Sequence, residues 1–394
     1  MRILIVHEVS YAKKVVYEYQ DFAERLAARG HEVTVVDFDE DGDGRGNRSM
    51  ASRTGIGSVL LENTAHINLL LVKYFSARNR FKKSLSRKLI NKEVDVVLLY
   101  SVFINGTNTV RLCNRFNIPV CYRALDVYHK IRNNLLILLP LYFGEKYIYK
   151  NCDEVIPTNE KMSHYVKKMS HGRCKKIFML NHGVDTSLFN KRENDIMLRK
   201  KWGFNEDDRI AAFVGTTYDF AGIDVVIRHF DVMRGILPAI KIMIVGGGDY
   251  DHELKKIIRE RQLEKEVVLT GFQPYGEVPA LLGIADVAFN SFQLNRITRD
   301  IIPVKIVQYL ACGKPAICTP LPDVVKTFPE KESGVLYCDI QNGAAFAGMI
   351  AETMANRALL DRLSNNAVRF VAKNFDMNTQ IVNLENELIG LCRN

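Results

Sequence analysis

Short apolar runs and longer amphipathic segments alternate along the chain. The first forty residues hold an apolar run at 2–9, a helical pattern at 12–29 and a second apolar run at 31–38. This alternation is typical of a β-α-β unit, in which parallel strands lie buried beneath helices. Further runs of strand type are 94–101, 118–125, 154–159 and 176–183. The pattern predicts a parallel, doubly wound sheet in the first half of the chain.

A second series of strands begins after a polar segment at 191–208. Its apolar runs are 209–216, 240–248, 266–272, 286–292, 315–319 and 334–338. We therefore predict an α/β protein with two Rossmann-like domains, each with a doubly wound parallel sheet, at 1–190 and 191–375, facing each other across a cleft. A C-terminal helix at 376–394 is expected to cross back to the first domain, and the Gly-rich stretch 39–58 to form a mobile loop.

Charge is distributed unevenly between the two predicted domains. The hydrophobic fraction of 47% and the charged fraction of 25% are ordinary globular values. Residues 1–190 hold 29 Lys and Arg against 19 Asp and Glu, a net charge of +10, while the whole chain carries +9. The excess is densest at 72–92, where Phe81, Leu85 and Leu89 form one apolar stripe on a cationic helix. Such a helix suits an anionic membrane surface, or it packs its stripe on its own domain.

The sequence also bears on compartment and partners. The longest apolar run, 135–143, is much shorter than the roughly 20 residues of a membrane-spanning helix, and the N-terminal run is too short for a signal peptide. The eight cysteines form no C-x-x-C pair and no zinc-ligand spacing, so we expect reduced thiols and no metal ion. We expect a cytoplasmic protein, with peripheral contact to the cytoplasmic face of an anionic membrane as its only membrane contact. No nucleic-acid-binding signature accompanies the basic residues, so nucleic acid is not an expected partner.

One predicted helix carries its charge at an unusual position. Proline is favoured as the first helical residue and glycine just past the end, so Pro303 and Gly313 delimit a helix of about ten residues. Lys305 then lies in the first turn, where the helix dipole disfavours a cation unless an anion is bound. Lys305, Gln308 and Cys312 share one face by their spacing. An ammonium and an amide at a helix N-terminus suit a diphosphate beside a ribose, and a simply solvated lysine is the alternative.

Three groups of motifs carry a family resemblance. They are "NCDEVIPTNEKMSHYV" (151–166) with "KKIFMLNHGVDTSLFNK" (175–191), "IVGGGDYDHELKKI" with "VVLTGFQPYGEVPALLGIADVAFNS", and "VKIVQYLACGKPAICT". Their order and spacing resemble the retaining family 4 glycosyltransferases of GT-B fold, which transfer sugars from nucleotide-sugar donors. The likeness is strong over 151–320 and only architectural over 1–117.

The resemblance implies a nucleotide-sugar site in the second domain. Its donor-binding residues would be Gly215, Thr216, Thr217, Gly246, Thr270, Gly271, Arg299, Lys305 and Gln308. Thr270 and Gly271 lie where the family lines the nucleobase pocket, and small residues after a strand let backbone amides approach a phosphate. For the glycines, simple βα turns remain an alternative explanation.

The chain departs from the family pattern at two places. The family typically has two glutamates eight positions apart, where this chain has Asp300 and Gln308. Asp300 keeps a carboxylate for the donor sugar and is a candidate catalytic residue, whereas Gln308 can still hydrogen-bond a diol but lacks the charge. The usual Arg/Lys pair is absent from "GTTYDFAG", so Lys305, with Arg296 or Arg299, is expected to neutralise the diphosphate.

The first domain supplies the candidates for the acceptor. Asp126, just past a predicted strand, is the second candidate catalytic residue, because a carboxylate there can orient or deprotonate an acceptor hydroxyl. A helix N-cap is the alternative role for it, and a structural role is the alternative for the neighbouring His129. The candidate acceptor-binding residues are Ser10, Tyr11, Lys13, Arg123 and His129.

Together these expectations describe a hexosyltransferase that moves a sugar from a UDP- or GDP-sugar to a glycan or lipid-linked acceptor with retention, in polysaccharide or glycolipid biosynthesis. No cofactor or metal is expected besides the nucleotide sugar as co-substrate, because helix N-termini and Lys305 can stabilise the leaving diphosphate. Two alternatives stay open. A nucleotide-sugar epimerase of the same fold would turn over the donor without an acceptor, and a catalytically inactive nucleotide-sugar-binding subunit is favoured by the departures at Gln308 and Ala221.

Overall fold

The computed structural model describes residues 1–13, 18–38, 44–69, 72–102, 105–131, 135–296 and 298–393. The chain divides into two compact units, where unit 1 is Met1–His182 with Asn378–Asn394 and unit 2 is Gly183–Met377. The sequence analysis placed these boundaries at 190 and 375. Each unit is built around one parallel sheet, and this confirms the predicted fold class of two parallel-sheet α/β domains.

Unit 1 contains a seven-stranded sheet in the order β3-β4-β2-β1-β5-β6-β7, parallel except for the β3–β4 pair. Its strands are β1 (Arg2–Val6), β2 (Glu32–Asp37), β3 (Arg48–Ala51), β4 (Val59–Asn63), β5 (Val96–Leu99), β6 (Val120–Ala124) and β7 (Glu154–Pro157). Its helices are α1 (Glu18–Ala28), α2 (Val72–Ile90), α3 (Gly106–Phe116), α4 (Tyr128–Ile131), α5 (Leu135–Asn151) and α6 (Glu160–Ser170). Strands β5, β6 and β7 are buried along their whole length because helices cover both faces of a parallel sheet.

Two sequence-based predictions for unit 1 were wrong. The segment 176–183 forms no extended strand: it pairs with β7 through the isolated bridge Val155↔Ile177 and a few backbone hydrogen bonds, and its residues range from exposed to buried. Strand β3 lies inside the stretch predicted as a mobile loop, of which residues 39–43 fall outside the described residues. Because β3 is an exposed edge strand, its residues carry none of the apolar alternation that reveals a half-buried strand.

Helix α2 packs its apolar stripe on its own domain. Phe81, Leu85 and Leu89 are at most 3% exposed and belong to the hydrophobic core of unit 1. This decides between the two interpretations of the stripe, since these three side chains are not free to enter a membrane. Lys88 on the same helix pairs with Glu62, with 2.7 Å between Nζ and Oε1.

The C-terminal helix α17 (Met377–Arg393) lies almost entirely in unit 1. Arg29 Nε donates to the Glu385 carboxylate at 2.8 Å, and His31 Nε2 contacts the same carboxylate at 2.7 Å. Arg25 Nη1 also donates to Asn378 Oδ1 at 2.9 Å. Charged and amide groups therefore attach this helix to α1 and the turn that follows it. Among the described residues, no helix has both the length and the apolar character needed to cross a bilayer.

Unit 2 contains a six-stranded, fully parallel sheet in the order β10-β9-β8-β11-β12-β13. Its strands are β8 (Arg209–Val214), β9 (Ile240–Val245), β10 (Val267–Gly271), β11 (Val287–Asn290), β12 (Ala316–Cys318) and β13 (Val335–Tyr337). Its helices are α7 (Ile196–Lys201), α8 (Ile223–Arg228), α9 (Phe230–Ile236), α10 (Asp251–Glu260), α11 (Val278–Gly283), α12 (Val304–Ala311), α13 (Pro322–Thr327), α14 (Glu330–Ser333), α15 (Gly343–Ala355) and α16 (Arg357–Asn374).

Helix α12 is the one that Pro303 and Gly313 were expected to delimit. Pro303 is its N-cap residue and Gly313, with φ +67°, ends it in the left-handed region. Lys305 is therefore the second residue of the helix. In an open α/β sheet, ligands bind beyond the carboxyl ends of the strands, so the candidate sites lie at this end of each sheet.

Candidate functional site

Glycines hold the carboxyl ends of β8 and β9 close together. A Cβ on Gly246 would lie 2.2 Å from the carbonyl oxygen of Gly215, and Gly246 adopts φ +133°. Gly215 N donates to Val245 O at 2.9 Å, and Gly246 N donates to Gly271 O at 3.0 Å. Only glycine fits such an approach. A simple βα turn therefore explains the glycine at position 246, whether or not a ligand binds there.

Gly215 also makes room for the ammonium group of Lys305. A Cβ at position 215 would lie 2.8 Å from Lys305 Nζ. Nζ lies 3.9 Å from the ring centroid of Phe213 and 4.4 Å from that of Phe292, so the cation is held between two aromatic side chains. No carboxylate among the side chains that the structure describes comes within ion-pair distance of it. Burial lowers the pKa of Lys305 to about 7.

This lysine is a desolvated cation without a fixed counter-charge. A buried ammonium is unfavourable unless an opposite charge or hydrogen-bond acceptors compensate it. The position at the first turn of α12 adds the partial positive charge of the helix dipole. An anion bound beside Nζ would compensate both the buried ammonium charge and the positive end of the helix dipole. The geometry therefore favours a phosphate-bearing ligand here.

At the carboxyl ends of β11 and β12, two buried polar side chains have no hydrogen-bond partner. Asn290, at the end of β11, is fully buried, and neither atom of its amide is satisfied. Thr319, just after β12, is 3% exposed with an unpartnered hydroxyl. Buried polar groups are almost always hydrogen-bonded, so these are groups that a ligand or water would satisfy. Sequence reasoning missed Asn290, although an amide that ends an apolar strand in "DVAFN" was a readable signal.

The other residues predicted to bind the nucleotide-sugar donor differ in their surroundings. Thr217 is buried and its hydroxyl donates to the Asp251 carboxylate, so it braces the turn to α10. Thr270 Oγ1 donates to Gly271 O at 2.9 Å. Thr216 and Gln308 are half-buried, and Arg296 and Arg299 are exposed. The side chain of Asp300 lies outside the described residues.

The predicted shared face of α12 needs a correction. Cys312 is fully buried in the hydrophobic core of unit 2, because the helix packs its last turn onto the domain. Lys305 and Gln308 alone of the three remain partly accessible. Cys312 is the C-cap residue that follows the last helical residue, Ala311, so the helical spacing does not set the direction of its side chain.

In unit 1, Arg123 is not at the surface. It is fully buried, and its Nε and Nη2 donate to the two oxygens of Glu18 at 2.7 and 2.8 Å. Nη1 donates to Leu180 O at 2.7 Å. The guanidinium uses its hydrogen bonds within the fold, so Arg123 is not available to bind the acceptor substrate. The prediction that Arg123 binds the acceptor is corrected: Arg123 is an internal partner of Glu18.

Tyr11 requires the same kind of correction. It is fully buried, its hydroxyl donates to Glu24 at 2.7 Å, and its amide donates to Asp37 at 2.6 Å. Glu24 also accepts hydrogen bonds from Ser52 and Thr54, so Tyr11 belongs to a buried polar cluster beneath the β3–β4 connection. Direct contact of the Tyr11 side chain with an acceptor is excluded in this arrangement.

The remaining unit 1 candidates fall into two groups. Ser10 is 5% exposed, while Lys13 is exposed. His129 is half-buried and its Nδ1 contacts the buried Glu145 carboxylate at 2.5 Å, which favours the structural role. Asp126 is half-buried, and no hydrogen bond from any described residue reaches its carboxylate. The N-cap alternative for Asp126 therefore finds no support.

Burial raises the pKa of Asp126, and a nearby histidine, His182, opposes that rise. His182 lies in "NHGVD", a motif that the sequence analysis used only for the family resemblance. Its Nδ1 is 2.9 Å from Glu18 Oε2. Sequence reasoning missed both Glu18 and His182, because their significance depends on a contact across 164 positions of the chain.

Comparisons with known proteins agree with this architecture. Residues 19–188 match the family model described as "Glycosyltransferase Family 4", and residues 195–370 match "Glycosyl transferases group 1". Among solved structures, sucrose-phosphate synthase from Thermosynechococcus elongatus superposes with a TM-score of 0.77 at 16% identity, covering 99% of this chain and 98% of that one. Anabaena HepE in complex with UDP gives 0.76 at 15% identity, covering 99% and 100%. At such identities these neighbours establish the fold.

A curated relative is more similar in sequence. The putative colanic acid biosynthesis glycosyltransferase WcaL of Salmonella typhimurium is 26% identical over 270 residues, which cover 66% of this chain. The match spans 62% of the relative's own length. The Escherichia coli WcaL is 25% identical over 248 residues, which cover 59% of this chain and 57% of that one.

The two parallel-sheet units and the structural neighbours that superpose on them define a GT-B glycosyltransferase fold. The two family models together cover most of the chain, each on its own unit. The chain therefore belongs to the family 4-like glycosyltransferases.

Proposed function

We propose that the chain transfers a sugar from a nucleoside-diphosphate sugar to a hydroxyl of a glycan or lipid-linked acceptor, in polysaccharide or glycolipid biosynthesis. The observation that carries this proposal is the Lys305 ammonium, which is desolvated between two aromatic rings at the first turn of α12 without a carboxylate among the described side chains. A donor diphosphate supplies the missing charge. The complexes of HepE with UDP and with UDP-glucose support UDP as the nucleotide.

The proposed chemistry relies on the chain's own groups. Lys305 and the N-terminal amides of α12 stabilise the negative charge that develops on the diphosphate as it leaves the anomeric carbon. Asn290 and Thr319 supply further polar contacts to the donor. We propose that these groups act without a metal ion and that the transferred sugar keeps its anomeric configuration.

Acceptor recognition is assigned to unit 1, whose described polar candidates include Asp126. The two WcaL relatives are described as colanic acid biosynthesis glycosyltransferases, and this supports a growing polysaccharide as the acceptor class. The basic excess of residues 1–190 suits an acceptor that carries negative charge. Asp126 then contacts an acceptor hydroxyl.

Membrane contact is a separate part of the proposal. With the α2 stripe buried, the contact would use the cations of that helix and the exposed apolar side chains of α2 and α5. Those side chains are Val72, Phe75, Leu139 and Phe143. The affinity for anionic vesicles, measured by sedimentation, should fall about 100-fold when Lys82, Lys83 and Arg87 become glutamine, because each basic residue near such a surface contributes about 1 kcal/mol. Replacing Lys255, Lys256 and Lys331 of unit 2 is the charge-matched control, and equal losses in both variants would contradict the assignment.

Calorimetry with UDP and GDP tests the donor site. Because the pKa of Lys305 in the free protein is about 7 and a diphosphate raises it, binding at pH 8 should take up close to one proton. The enthalpy will then depend on the ionisation enthalpy of the buffer. The variant Lys305→Met should lose most of the affinity and the proton uptake together. Unchanged affinity of the variant would contradict the assignment of Lys305.

Turnover assays separate transfer from the two other activities. Radiolabelled donor sugar should appear in a larger product only when acceptor is added. Donor isomerisation without acceptor would identify an epimerase, and nucleotide binding with no donor consumption would identify an inactive binding subunit.

A further inference from the structure

A cavity of about 390 Å³ lies at the amino end of the unit 2 sheet. Its walls include the residues that immediately precede three strands, namely Asp208 before β8, Asp286 before β11 and Pro315 before β12. Lys305, at the first turn of α12, lies beside the carboxyl end of the same sheet. A ligand in this cavity would therefore occupy a different site of unit 2 from the one proposed for the nucleotide-sugar donor.

Arg199 holds the walls of the cavity together. Its side chain is 4% exposed. Nε donates to Asn194 Oδ1 at 2.6 Å, Nη1 donates to Asp208 O at 2.8 Å, and Nη2 donates to Ile284 O at 3.0 Å. These three acceptors belong to the segments before α7, β8 and β11. One buried guanidinium thus fixes three separate segments around the cavity, so the cavity is built into the domain.

Two other cations that line the cavity have N–H groups without an internal partner. Arg209 Nη2 pairs with Asp286 Oδ1 at 3.1 Å, but its Nε is buried and has no hydrogen-bond partner among the described residues. Lys314 Nζ donates to Gly283 O and Ala285 O at 3.0 and 2.8 Å, which leaves one of its three hydrogens. Because buried N–H groups are almost always hydrogen-bonded, both are positions that an acceptor on a ligand would satisfy.

Positive charge is concentrated around this cavity. Lys191 and Arg192 line it from the exposed segment before α7, and no carboxylate of a described residue lies within ion-pair distance of either. Burial lowers the pKa of Lys314 to about 8, and the nearby Lys191 and Arg199 add to that effect while Asp286 opposes it. The ammonium of Lys314 is therefore held among other cations.

The carboxylates that line the cavity do not offset this concentration. The two buried ones are matched by buried cations, since Asp208 and Asp286 both interact with Arg199 and Asp286 also pairs with Arg209. The other carboxylates are exposed to water, which screens their charge, and two of them pair with an exposed lysine or arginine. They are Glu206, Asp207 and Asp361.

This combination of groups suits a phosphate. A phosphate monoester carries about −1.5 to −2 charges at pH 7 and offers three strong acceptor oxygens, which match several cations with unused N–H groups. A volume of about 390 Å³ is also within the range of small-molecule sites, so there is room for the organic group of a monoester.

We propose that this cavity binds a phosphate group, carried by inorganic phosphate or by a small phosphate monoester. Lys191 and Arg192 pair with the phosphate oxygens from the exposed side. Arg209 Nε and Lys314 Nζ donate to them from within the cavity. The ligand is distinct from the nucleotide-sugar donor, and this assignment does not depend on the proposed sugar transfer.

Calorimetric titration of the full chain with inorganic phosphate and with glucose 6-phosphate tests the site. The background is Lys305→Met, which removes the phosphate contact proposed at α12, and sodium chloride keeps the ionic strength constant because salt screens exposed charges. We expect one phosphate group to bind per chain. Tighter binding of glucose 6-phosphate would identify a monoester as the ligand, and equal or tighter binding of inorganic phosphate would identify the free ion. Binding of neither probe overturns the proposal.

A double substitution in the exposed wall locates the binding. Lys191→Gln with Arg192→Gln, in the same background, should lower the phosphate affinity at least about tenfold, because two charge-assisted contacts are lost. Both positions are exposed, so the fold should not be disturbed. Lys255→Gln with Lys256→Gln is the charge-matched control, since these exposed lysines of α10 do not line the cavity. An unchanged affinity in the cavity variant overturns the proposal, and so do equal losses in the two variants.

Proton uptake tests the contact with Lys314. Most of the Lys314 side chains are neutral at pH 9 in the ligand-free protein, because the pKa is about 8. A phosphate beside Nζ raises that pKa, so binding at pH 9 should take up protons and the measured enthalpy should depend on the ionisation enthalpy of the buffer. Phosphate binding without proton uptake at pH 9 would place the anion away from Lys314 and overturn the proposal.

Discussion

Replacing Lys305 by methionine should make the ligand-free protein more stable. Methionine keeps most of the apolar stem between Phe213 and Phe292 and removes the buried charge. The displacement of the Lys305 pKa from 10.5 to about 7 corresponds to roughly 5 kcal/mol of unfavourable free energy for the charged form. Because the side chain is only half-buried and the methionine loses the cation–π contacts, we expect a gain of about 1–3 kcal/mol.

The pH dependence of the stability difference between Lys305→Met and the wild type identifies its cause. The unfolded chain protonates Lys305 below about pH 10.5, while the folded chain does so only below about pH 7. Between these values the unfolded state binds more protons, so the stability of the wild type rises with pH. The advantage of Lys305→Met should therefore be largest at pH 6 and should shrink as the pH approaches 10.

Thermal unfolding at pH 6, 7.5 and 9 without ligand measures the effect, and 1 kcal/mol corresponds to about 2–4 °C for a domain of this size. Lys314 is the matched control: burial lowers its pKa to about 8, but Nζ donates to Gly283 O and Ala285 O at 3.0 and 2.8 Å. Lys314→Met leaves these carbonyls unpaired and should lower the midpoint. A Lys305→Met protein that is less stable than the wild type at pH 6 would refute the description of Lys305 as an uncompensated charge.

Two further predictions concern the frameworks of the sites. Arg123→Met should lower the free energy of unfolding by about 3–5 kcal/mol, because the buried Glu18 carboxylate loses its guanidinium partner and keeps only the contact with His182. Arg2→Met breaks the exposed pair with Asp95 and should lower it by less than about 1 kcal/mol, as measured by urea unfolding. Gly246→Ala should lower the thermal midpoint by several degrees, since its Cβ would lie 2.2 Å from a carbonyl oxygen, and Gly235→Ala, in a helix with open space around it, should raise it. Equal midpoints for the two alanine variants would contradict the close approach of the β8 and β9 turns.

The strands of both sheets could be predicted from sequence wherever they are buried on both faces, because such strands read as continuous apolar runs. The prediction failed at β3, an exposed edge strand, and at β4, which no predicted strand covered. It also failed at 176–183, which pairs with β7 only through an isolated bridge and a few backbone hydrogen bonds. Helix α12 was predicted closely because Pro303 and Gly313 carry strong local signals. Local signals of this kind specify the backbone and say little about which side chains it buries.

The candidate site was predictable only in part, for the same reason. Lys305 stood out because a single sequence position conflicts with the helix dipole. Glu18 and His182 carry no local anomaly, and the contact between them depends on tertiary packing across much of unit 1. Arg123 and Tyr11 occupy loop or strand-end positions that a ligand-binding residue would also occupy, and only their burial in the structure distinguishes the two roles.

Arg123 and Lys305 show how the surroundings of a buried cation decide its role. Each lies near the carboxyl end of its parallel sheet; Arg123 is fully buried and Lys305 is half-buried. Arg123 donates to both oxygens of the Glu18 carboxylate and to two backbone carbonyls, so its charge is balanced within the fold and it holds Glu18 in place. Lys305 lies between two aromatic rings at a helix N-terminus. These groups hold the ammonium group in place but do not neutralise it. A fold that leaves a cation in this state loses stability unless an anion binds, and a bound diphosphate would offset that cost. Burial of a cation therefore accompanies a structural role for Arg123 in unit 1 and the proposed ligand-binding role of Lys305 in unit 2.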